Sequence, residues 1–252
     1  VLYQATPTQF LLKMDGIARY LVSNGNKIVV EPAPNALESD IRVFLLGSCI
    51  GTLLHQRKIL ALHASAIEYN GNAILFAGNS GAGKSTLLNA FLQRGYKMLT
   101  DDVAGVQIGA DGMPHVLPGI PRTKLWADAA KKLERNTEGL NRTRPHMEKF
   151  EIPTFEQFTT ESAPFKRLYI LKSVNRDELE LEPMEMRQSF GMLARYTYRS
   201  RFLDALRYRG QHLLLTTKIT QHVQVVRACR PSHPYRLQEF TDLIENDFQT
   251  HL

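Results

Sequence analysis

The sequence has little cysteine and no long apolar run, and each scarcity excludes a class of protein. Only two cysteines, Cys49 and Cys229, occur in 252 residues. Two thiols so far apart cannot form a disulfide framework or supply a four-ligand zinc site, so we expect reduced thiols. The longest apolar run, within 43–54, is interrupted by two glycines and a serine. It is well short of the roughly 20 residues that cross a bilayer, which argues against a membrane partner.

An excess of charge of one sign is also missing. Lys and Arg total 31 against 25 for Asp and Glu, a net charge of +6. This balance suits phosphate-bearing ligands or acidic peptides but is too diffuse to indicate nucleic acid. No basic-then-apolar leader opens the sequence, so we expect a soluble, cytoplasmic protein. With 43% hydrophobic residues, the composition is that of a globular chain of one or two domains.

The residue pattern predicts an α/β fold with a small β-rich N-terminal extension at 1–36, followed by the main domain at 37–252. In the extension, short apolar segments flank the hairpin signal Asn24-Gly25. A helix is then predicted from Ser39, as its N-cap, to about Gln56. Further strands are predicted at 60–69, 73–77, 97–100, 166–174 and 223–228, and further helices at 87–94, 122–133, 185–195, 200–221 and 235–248.

A glycine-rich loop follows the apolar strand at 73–77. Gly78-Asn79-Ser80-Gly81-Ala82-Gly83-Lys84-Ser85 matches G-x-x-x-x-G-K-[ST], and Thr86 continues it into a predicted helix. The glycines let successive N–H groups point at phosphate oxygens, while Lys84 would reach the β- and γ-phosphates and Ser85 would ligate Mg²⁺. The alternative is a glycine-rich turn without a ligand, but the strand–loop–helix context favours a P-loop for ATP and Mg²⁺.

Two adjacent carboxylates, Asp101 and Asp102, close the next predicted strand. Strand C-terminal ends are where open α/β sheets bind ligands. One carboxylate can accept the proton of an attacking hydroxyl while the other holds the metal. The alternative is a turn-forming Asp pair, because Asp readily stabilises turns.

His63 lies on the strand before the P-loop strand and shares a face with Ser65 by period-2 alternation. It could orient or polarise the base aspartate, or contact the γ-phosphate. On the residues alone, however, a histidine that is satisfied within the core is the favoured interpretation.

Three segments together resemble the catalytic domain of the HPr kinase/phosphorylase family: 62–65, 78–86 and 94–102. That family consists of P-loop serine kinases akin to phosphoenolpyruvate carboxykinases, so the resemblance implies a mixed central sheet flanked by helices. It further implies Asp101 as the general base, Asp102 as its acidic neighbour near the metal, His63 as support for the base, and Lys84 as a catalytic residue. The two aspartates could exchange roles. Related kinases often assemble, so a homo-oligomer is compatible with the resemblance.

One stretch of the bifunctional family, resembling E-[IV]-R-G-x-G, is missing, and residues 118–129 take its place. In this respect the chain looks like the stand-alone kinases encoded beside lasso-peptide and other ribosomal-peptide clusters. The resemblance therefore implies phosphorylation of a serine in a precursor peptide. The missing stretch argues against phosphorylase activity and against HPr as the substrate.

Several cations remain without a firm role. Arg122 and Lys124, expected near a helix start, could contact a phosphate or an acidic acceptor or be solvated. Arg144 and Lys149 could stabilise transition-state charge, although no spacing supports them. Trp126 is interpreted as a packing residue. An arginine cluster could dock an acidic peptide, but the wet face of an amphipathic helix is the favoured interpretation: Arg195, Arg199, Arg201, Arg207 and Arg209.

The sequence thus favours an ATP- and Mg²⁺-dependent kinase that acts on a serine hydroxyl of a peptide or protein. A kinase for a small hydroxylated metabolite would use the same machinery. A nucleotide-hydrolysing switch or ATPase is the third hypothesis. No Leu-Ser-Gly-Gly-Gln or Asn-Lys-x-Asp stretch occurs, which argues against a transporter ATPase and a guanine-specific switch.

Overall fold

The structure is a computed structural model that describes residues 2–133, 138–143 and 148–252. Its strands are β1 (Leu2–Ala5), β2 (Gln9–Met14), β3 (Ala18–Ser23), β4 (Lys27–Pro32), β5 (Leu60–Leu62), β6 (Ala64–Tyr69), β7 (Asn72–Ala77), β8 (Lys97–Thr100), β9 (Ala104–Ile108), β10 (Pro114–Val116), β11 (Arg122–Trp126), β12 (Lys149–Pro153), β13 (Ala163–Val174), β14 (Glu180–Pro183) and β15 (Gln224–Pro231). Its helices are α1 (Glu38–Phe44), α2 (Ile50–Gln56), α3 (Lys84–Gln93), α4 (Ala127–Lys132), α5 (Met186–Arg195), α6 (Phe202–Ala205), α7 (Arg209–Thr220) and α8 (Leu237–His251).

The first four strands form a separate antiparallel sheet in the order β1-β2-β3-β4. Asn24 and Gly25 both adopt positive φ in the β3–β4 turn, as the hairpin signal predicts. One face of this sheet buries Phe10 and Tyr20 against residues of α6 and of the helical segment 38–56. The small N-terminal sheet therefore shares a core with the rest of the chain, while its standing as a separate domain stays a prediction.

The central sheet is mixed and explains why the site forms where it does. Its strand order is β5-β9-β10-β13-β7-β6-β8, and β15 pairs with β13 and β14. β13 runs parallel to β7 and β15, whereas β6 runs antiparallel to both β7 and β8. The carboxyl ends of β7, β8 and β15 consequently meet the start of β6 at one edge, the arrangement in which open α/β sheets bind ligands.

Helices cover both faces of this sheet. On one face, α3 and α8 pack Phe91, Ile244 and Phe248 against the strands. On the other face, α5 and α7 contribute Leu193 and Ile219. The apolar strand β7 is almost fully buried, as expected for a strand at the centre of a doubly covered sheet. The expected α/β class, with a mixed sheet between helices and a small β extension, is confirmed.

Some predicted elements are wrong. The segment expected as a helix from 122 forms the strand β11, whose buried Thr123 and Leu125 alternate with less buried neighbours, and only α4 is helical. The helix expected over 200–221 is two helices, because the chain turns at Arg207, where φ is 58°. Gly210 does not interrupt the second of them, since it lies within α7. No side chain caps α1, whose N-cap position is Leu37 rather than Ser39.

In the described part of the chain, no helix is both long and apolar enough to span a membrane. Both cysteines are buried as free thiols. Burial raises the pKa of the Cys49 thiol to about 12, so this thiol stays protonated and unreactive at neutral pH.

Candidate active site

The P-loop follows β7 and wraps onto the N-terminus of α3. Gly81 and Gly83 adopt φ of 81° and 101°, a region that costs a side chain energy but not glycine. Gly78 is needed for a different reason: a Cβ there would lie 2.8 Å from the Ala82 Cβ and 2.9 Å from the Leu171 carbonyl oxygen. These positions let the loop fold tightly at the positive end of α3, where free backbone N–H groups could bind an anion.

Lys84 lies within this loop and is 7% exposed. Its ammonium donates to the carbonyl oxygens of Gly78 (2.9 Å) and Asn79 (3.3 Å). Burial lowers the pKa of Lys84, against the opposing effect of Asp101 and Asp102. A cation held here by the loop is ready to bind phosphate oxygens.

Asp101 lies at the end of β8 and is held by four donors. One carboxylate oxygen accepts from the hydroxyls of Ser65 (2.6 Å) and Ser85 (3.0 Å). The other accepts from the hydroxyl of Thr123 (2.8 Å) and the backbone N–H of Lys124 (3.0 Å). A carboxylate offers about four lone-pair sites, so those of Asp101 are already in use. Its clearest structural role is to orient the P-loop hydroxyl of Ser85.

The carboxylate of Asp102 contacts different side chains from that of Asp101, although the two residues are adjacent. Its φ of 77° is uncommon outside glycine, but Asp tolerates it better than most residues. The carboxylate pairs with the Lys124 ammonium (3.0 Å) and lies 3.3 Å from Nδ1 of His63. Burial alone would raise the pKa of Asp102, but Lys124 and His63 outweigh it and hold that pKa below the ordinary value. Asp102 is therefore ionised at neutral pH.

His63 occupies the bend between β5 and β6, where the sequence predicts one continuous strand. Its Nδ1 lies 2.9 Å from the backbone carbonyl oxygen of Asp102. Burial lowers the pKa of His63, Lys84 lowers it further, and Asp102 opposes both. The ring is thus neutral at pH 7, so Nδ1–H donates to Asp102 as a hydrogen bond and not as an ion pair.

A cleft of about 430 Å³ brings these groups together. We call it the phosphate cleft; its lining includes Lys84, Ser85, Thr86, Asp101, Asp102, His63, Ser80, Gly81, Gly83, Lys124, Trp126 and Lys149. Most of the predicted site residues therefore converge on this cleft, whereas Ala82 packs against the core beneath the loop. Asn79 and Gly78 lie at the far end of the loop, on a neighbouring cleft.

The small sheet β11–β12 lines the phosphate cleft. It carries several cations whose roles the sequence analysis left open. Lys124 contacts Asp102, and Lys149 lies 5.6 Å from the centre of the half-exposed Trp126 ring. Arg122, in contrast, pairs with Glu151, so it is neither solvated nor free to bind phosphate. Arg144 lies outside the described residues.

Sequence reasoning gave no role to Ser65, Thr123 or Arg230. Ser65 is fully buried on β6, and the period-2 alternation that predicts one face for Ser65 and His63 offered a signal. Thr123 lies on a strand that was expected as a helix. Arg230, at the end of β15, lies over the Tyr235 ring at 4.2 Å and within 3.4 Å of the Ala82 carbonyl oxygen. Only the sheet order places it beside the P-loop.

Magnesium fits the donor set. In the described part of the chain, no three His, Cys, Asp or Glu side chains form a complete metal cage. Mg²⁺ commonly takes one or two carboxylates, a hydroxyl, waters and substrate phosphates. The Ser85 hydroxyl would be a direct ligand, oriented by the Asp101 carboxylate that accepts its hydrogen bond, and waters and substrate phosphates would supply the remaining oxygen ligands.

No protein-family model matches the chain, and no curated protein matches it. Among solved structures, the chain is similar to the HPr(Ser) kinase/phosphatase from Coxiella burnetii, with a TM-score of 0.39 and 12% sequence identity, over 76% of this chain and 92% of that chain. The function proposed below therefore rests on the geometry of the site and on the sequence motifs.

Proposed function

We propose that the protein is an ATP- and Mg²⁺-dependent kinase that transfers the γ-phosphate to a serine hydroxyl of a peptide or protein. The observation that carries the proposal is the position of the Asp102 carboxylate. It lies beside His63 in the same cleft as Lys84 and Ser85 of the P-loop. A phosphate-binding loop alone would serve any nucleotide-binding protein, whereas a second, separately held carboxylate supplies a base for an attacking hydroxyl.

The geometry favours Asp102 over Asp101 as that base. All lone-pair sites of Asp101 are used by protein donors, so accepting a proton there would break existing hydrogen bonds. Asp102 has fewer partners, and neutral His63 can stabilise its position through Nδ1–H. We therefore propose the reverse of the assignment that the resemblance first implies: Asp102 as the base and Asp101 on the metal side with Ser85.

The transfer is an in-line displacement. The serine oxygen forms a bond to the γ-phosphorus, its proton passes to Asp102, and the bond from that phosphorus to the β–γ bridging oxygen breaks to release ADP. Lys84 and the P-loop amides hold the β- and γ-phosphates. Bound Mg²⁺ would offset phosphate charge. A lasso-type precursor peptide is the acceptor that the sequence resemblance implies.

The test is intact-mass analysis of a serine-bearing peptide after incubation with the protein, ATP and Mg²⁺. We expect a gain of one phosphate. In Asp102→Asn the transfer rate should fall about 10²- to 10⁴-fold, the usual contribution of a general base, with ATP affinity retained. The matched variant Asp101→Asn should weaken Mg²⁺-dependent ATP binding as well, because the amide NH₂ that replaces one carboxylate oxygen cannot accept from the donors on that side and disturbs the group that orients Ser85.

Wild-type transfer by Asp102→Asn would refute the base assignment. Consumption of ATP without any mass gain on the peptide would instead favour a hydrolysing switch or a kinase for a small hydroxylated molecule. Melting temperatures of both variants separate a chemical defect from loss of folding.

A further inference from the structure

A second cleft, of about 440 Å³, adjoins the phosphate cleft. We call it the arginine cleft, and it is lined by His63, by the P-loop residues Gly78, Asn79 and Ser80, and by residues 195–201. Both clefts include His63 and Ser80. They therefore meet beside the base proposed above.

The 195–201 segment is hydrogen-bonded directly to β5 and to His63, which follows it. The backbone N–H of His63 donates to the Tyr196 carbonyl (2.8 Å), and the N–H of Tyr198 donates to the Ala61 carbonyl (2.7 Å). Leu62 and Thr197 form an isolated antiparallel bridge. A segment paired in this way has a defined position relative to His63.

Two buried histidines hold the same segment from behind. His55 Nε2 lies 2.9 Å from the Tyr198 carbonyl oxygen, and His212 Nε2 lies 2.8 Å from the Thr197 hydroxyl. Gly47 and Gly51 leave room for the Tyr198 ring, because a Cβ at either position would come within 2.9 Å of it. The arginine cleft is thus a packed part of the fold and not a loose surface loop.

The cleft is strongly cationic. Arg195, Arg199 and Arg201 line it, and no Asp or Glu does among the described residues. In the described ranges none of these three guanidinium groups forms an ion pair, and the buried Nε of Arg199 lacks a hydrogen-bond partner. Arg209, in the same stretch of sequence, is neutralised by Asp204. Arginine forks bind carboxylates in bidentate geometry, so this cleft is complementary to acidic side chains.

The position of the arginine cleft determines which substrate it would receive. Lys84, Ser85 and Thr86 line the phosphate cleft only, so the nucleotide phosphates belong there. The attacking hydroxyl must reach the terminal phosphate from the side of His63 and Asp102. That side opens into the arginine cleft.

We infer that the arginine cleft docks the acceptor polypeptide and selects a segment with Asp or Glu side chains near the phosphorylated serine. This inference rests on the function proposed above and adds the chemical class of the acceptor. It also revises the sequence interpretation of this arginine cluster as a solvated helix face, because three of its members converge on one cleft.

Binding of fluorescein-labelled peptides, followed by anisotropy at low salt, tests the inference without requiring phosphate transfer. One short peptide carries a serine flanked by Glu, and its partner has Gln at the same positions. The Glu peptide should bind about tenfold more tightly, the product of three modest charge contacts. The variant Arg195→Gln/Arg199→Gln/Arg201→Gln should lose that preference.

A matched control removes the same charge elsewhere. Arg19→Gln/Arg42→Gln/Arg176→Gln changes three exposed arginines that pair with carboxylates outside the cleft, and it should keep the preference. Arg199 has a positive φ, so the double variant Arg195→Gln/Arg201→Gln, which spares it, guards against misfolding and should lose part of the preference. ATP affinity and melting temperature verify the fold of each variant.

Equal binding of the Glu and Gln peptides, equal losses in the two triple variants, or equally tight binding of a single-stranded oligonucleotide would each overturn the docking inference. Transfer to the same peptides then tests the proposed function separately. Phosphorylation without a Glu preference would leave the kinase intact and refute the docking site. Arginine-dependent binding without phosphorylation would support the docking site and refute the proposed peptide kinase.

Discussion

The phosphate cleft and the arginine cleft share His63 and Ser80 but are assembled in different ways. The proposed anion site of the first is mostly one continuous loop, Gly78 to Thr86, and its positive charge would come largely from backbone N–H groups and a helix terminus. The second depends on contacts between residues as far apart as His55 and Tyr198, which are 143 positions apart. An anion site encoded by local backbone geometry tolerates changes in distant packing, whereas a site built from tertiary contacts depends on them.

The largest expected effect is that of Lys84→Ala, which should impair the phosphate cleft and leave the arginine cleft intact. Lys84→Ala should reduce phosphate transfer by about 10²- to 10³-fold, the loss typical of removing one preorganised charge donor. ATP affinity, measured by titration calorimetry, should fall with it. The arginine triple variant should leave ATP affinity unchanged. If Lys84→Ala bound ATP and transferred phosphate at the wild-type level, the P-loop assignment would be wrong.

Acid should destabilise the protein through His212, which contacts Thr197 behind the arginine cleft. Burial lowers the pKa of His212 to about 4 from the model-compound value of 6.5, with His55 and Arg209 acting in the same direction. Because the folded pKa lies below the unfolded one, the unfolded chain binds more protons between these values. Stability is therefore fully present above pH 6.5 and is lost as the pH falls towards 4, by about 3 kcal/mol in total.

Chemical unfolding at several pH values measures this effect. His212→Gln should flatten the dependence in that window, while His222→Gln, two residues beyond the end of α7, should preserve it. A wild-type slope in His212→Gln would show that another group controls acid stability.

The glycines behind Tyr198 provide a sharper test of packing. A Cβ at Gly47 would lie 2.9 Å from the Tyr198 hydroxyl oxygen, and one at Gly51 would lie 2.8 Å from its ring carbon Cδ1. Gly47→Ala and Gly51→Ala should each cost about 1–3 kcal/mol of stability by overpacking. Tyr198→Phe removes only the hydroxyl, so it should rescue Gly47→Ala and not Gly51→Ala. Equal rescue of both variants in thermal unfolding would contradict this geometry.

The smallest effect is expected inside the phosphate cleft, where Asp101 has several donors. Ser65→Ala removes one of them, the 2.6 Å hydrogen bond, and should cost about 1 kcal/mol of stability because three donors remain. ATP affinity should be nearly unchanged. A large loss of ATP binding would mean that Ser65, and not the combined donor set, positions Asp101.

Comparison of particular residues shows why some features were predictable and others were not. Asn24-Gly25 and Asn70-Gly71 mark hairpins because their turns require positive φ, a local property. Residues 122–126 were expected to be helical, yet they pair with β12 over the cleft. The alternation of Arg-Thr-Lys-Leu-Trp was a strand signal, but the strand forms because these residues pair with residues 149–153 of β12, further along the chain. Because of the same misassignment, the sequence analysis did not identify Thr123 as a hydrogen-bond donor to Asp101.

From the sequence alone, the P-loop, the pair Asp101-Asp102, and the α/β class with its N-terminal β segment were all predictable, because glycine spacing and hydrophobic periodicity act over a few residues. Only the tertiary structure decides which aspartate faces Ser85 and which faces His63, since a positive φ at Asp102 directs the two carboxylates to different partners. It also decides that Arg195, Arg199 and Arg201 converge beside His63. A cluster of charges in the sequence does not show where the side chains lie in the fold. Pairing of this segment with β5 determines their position.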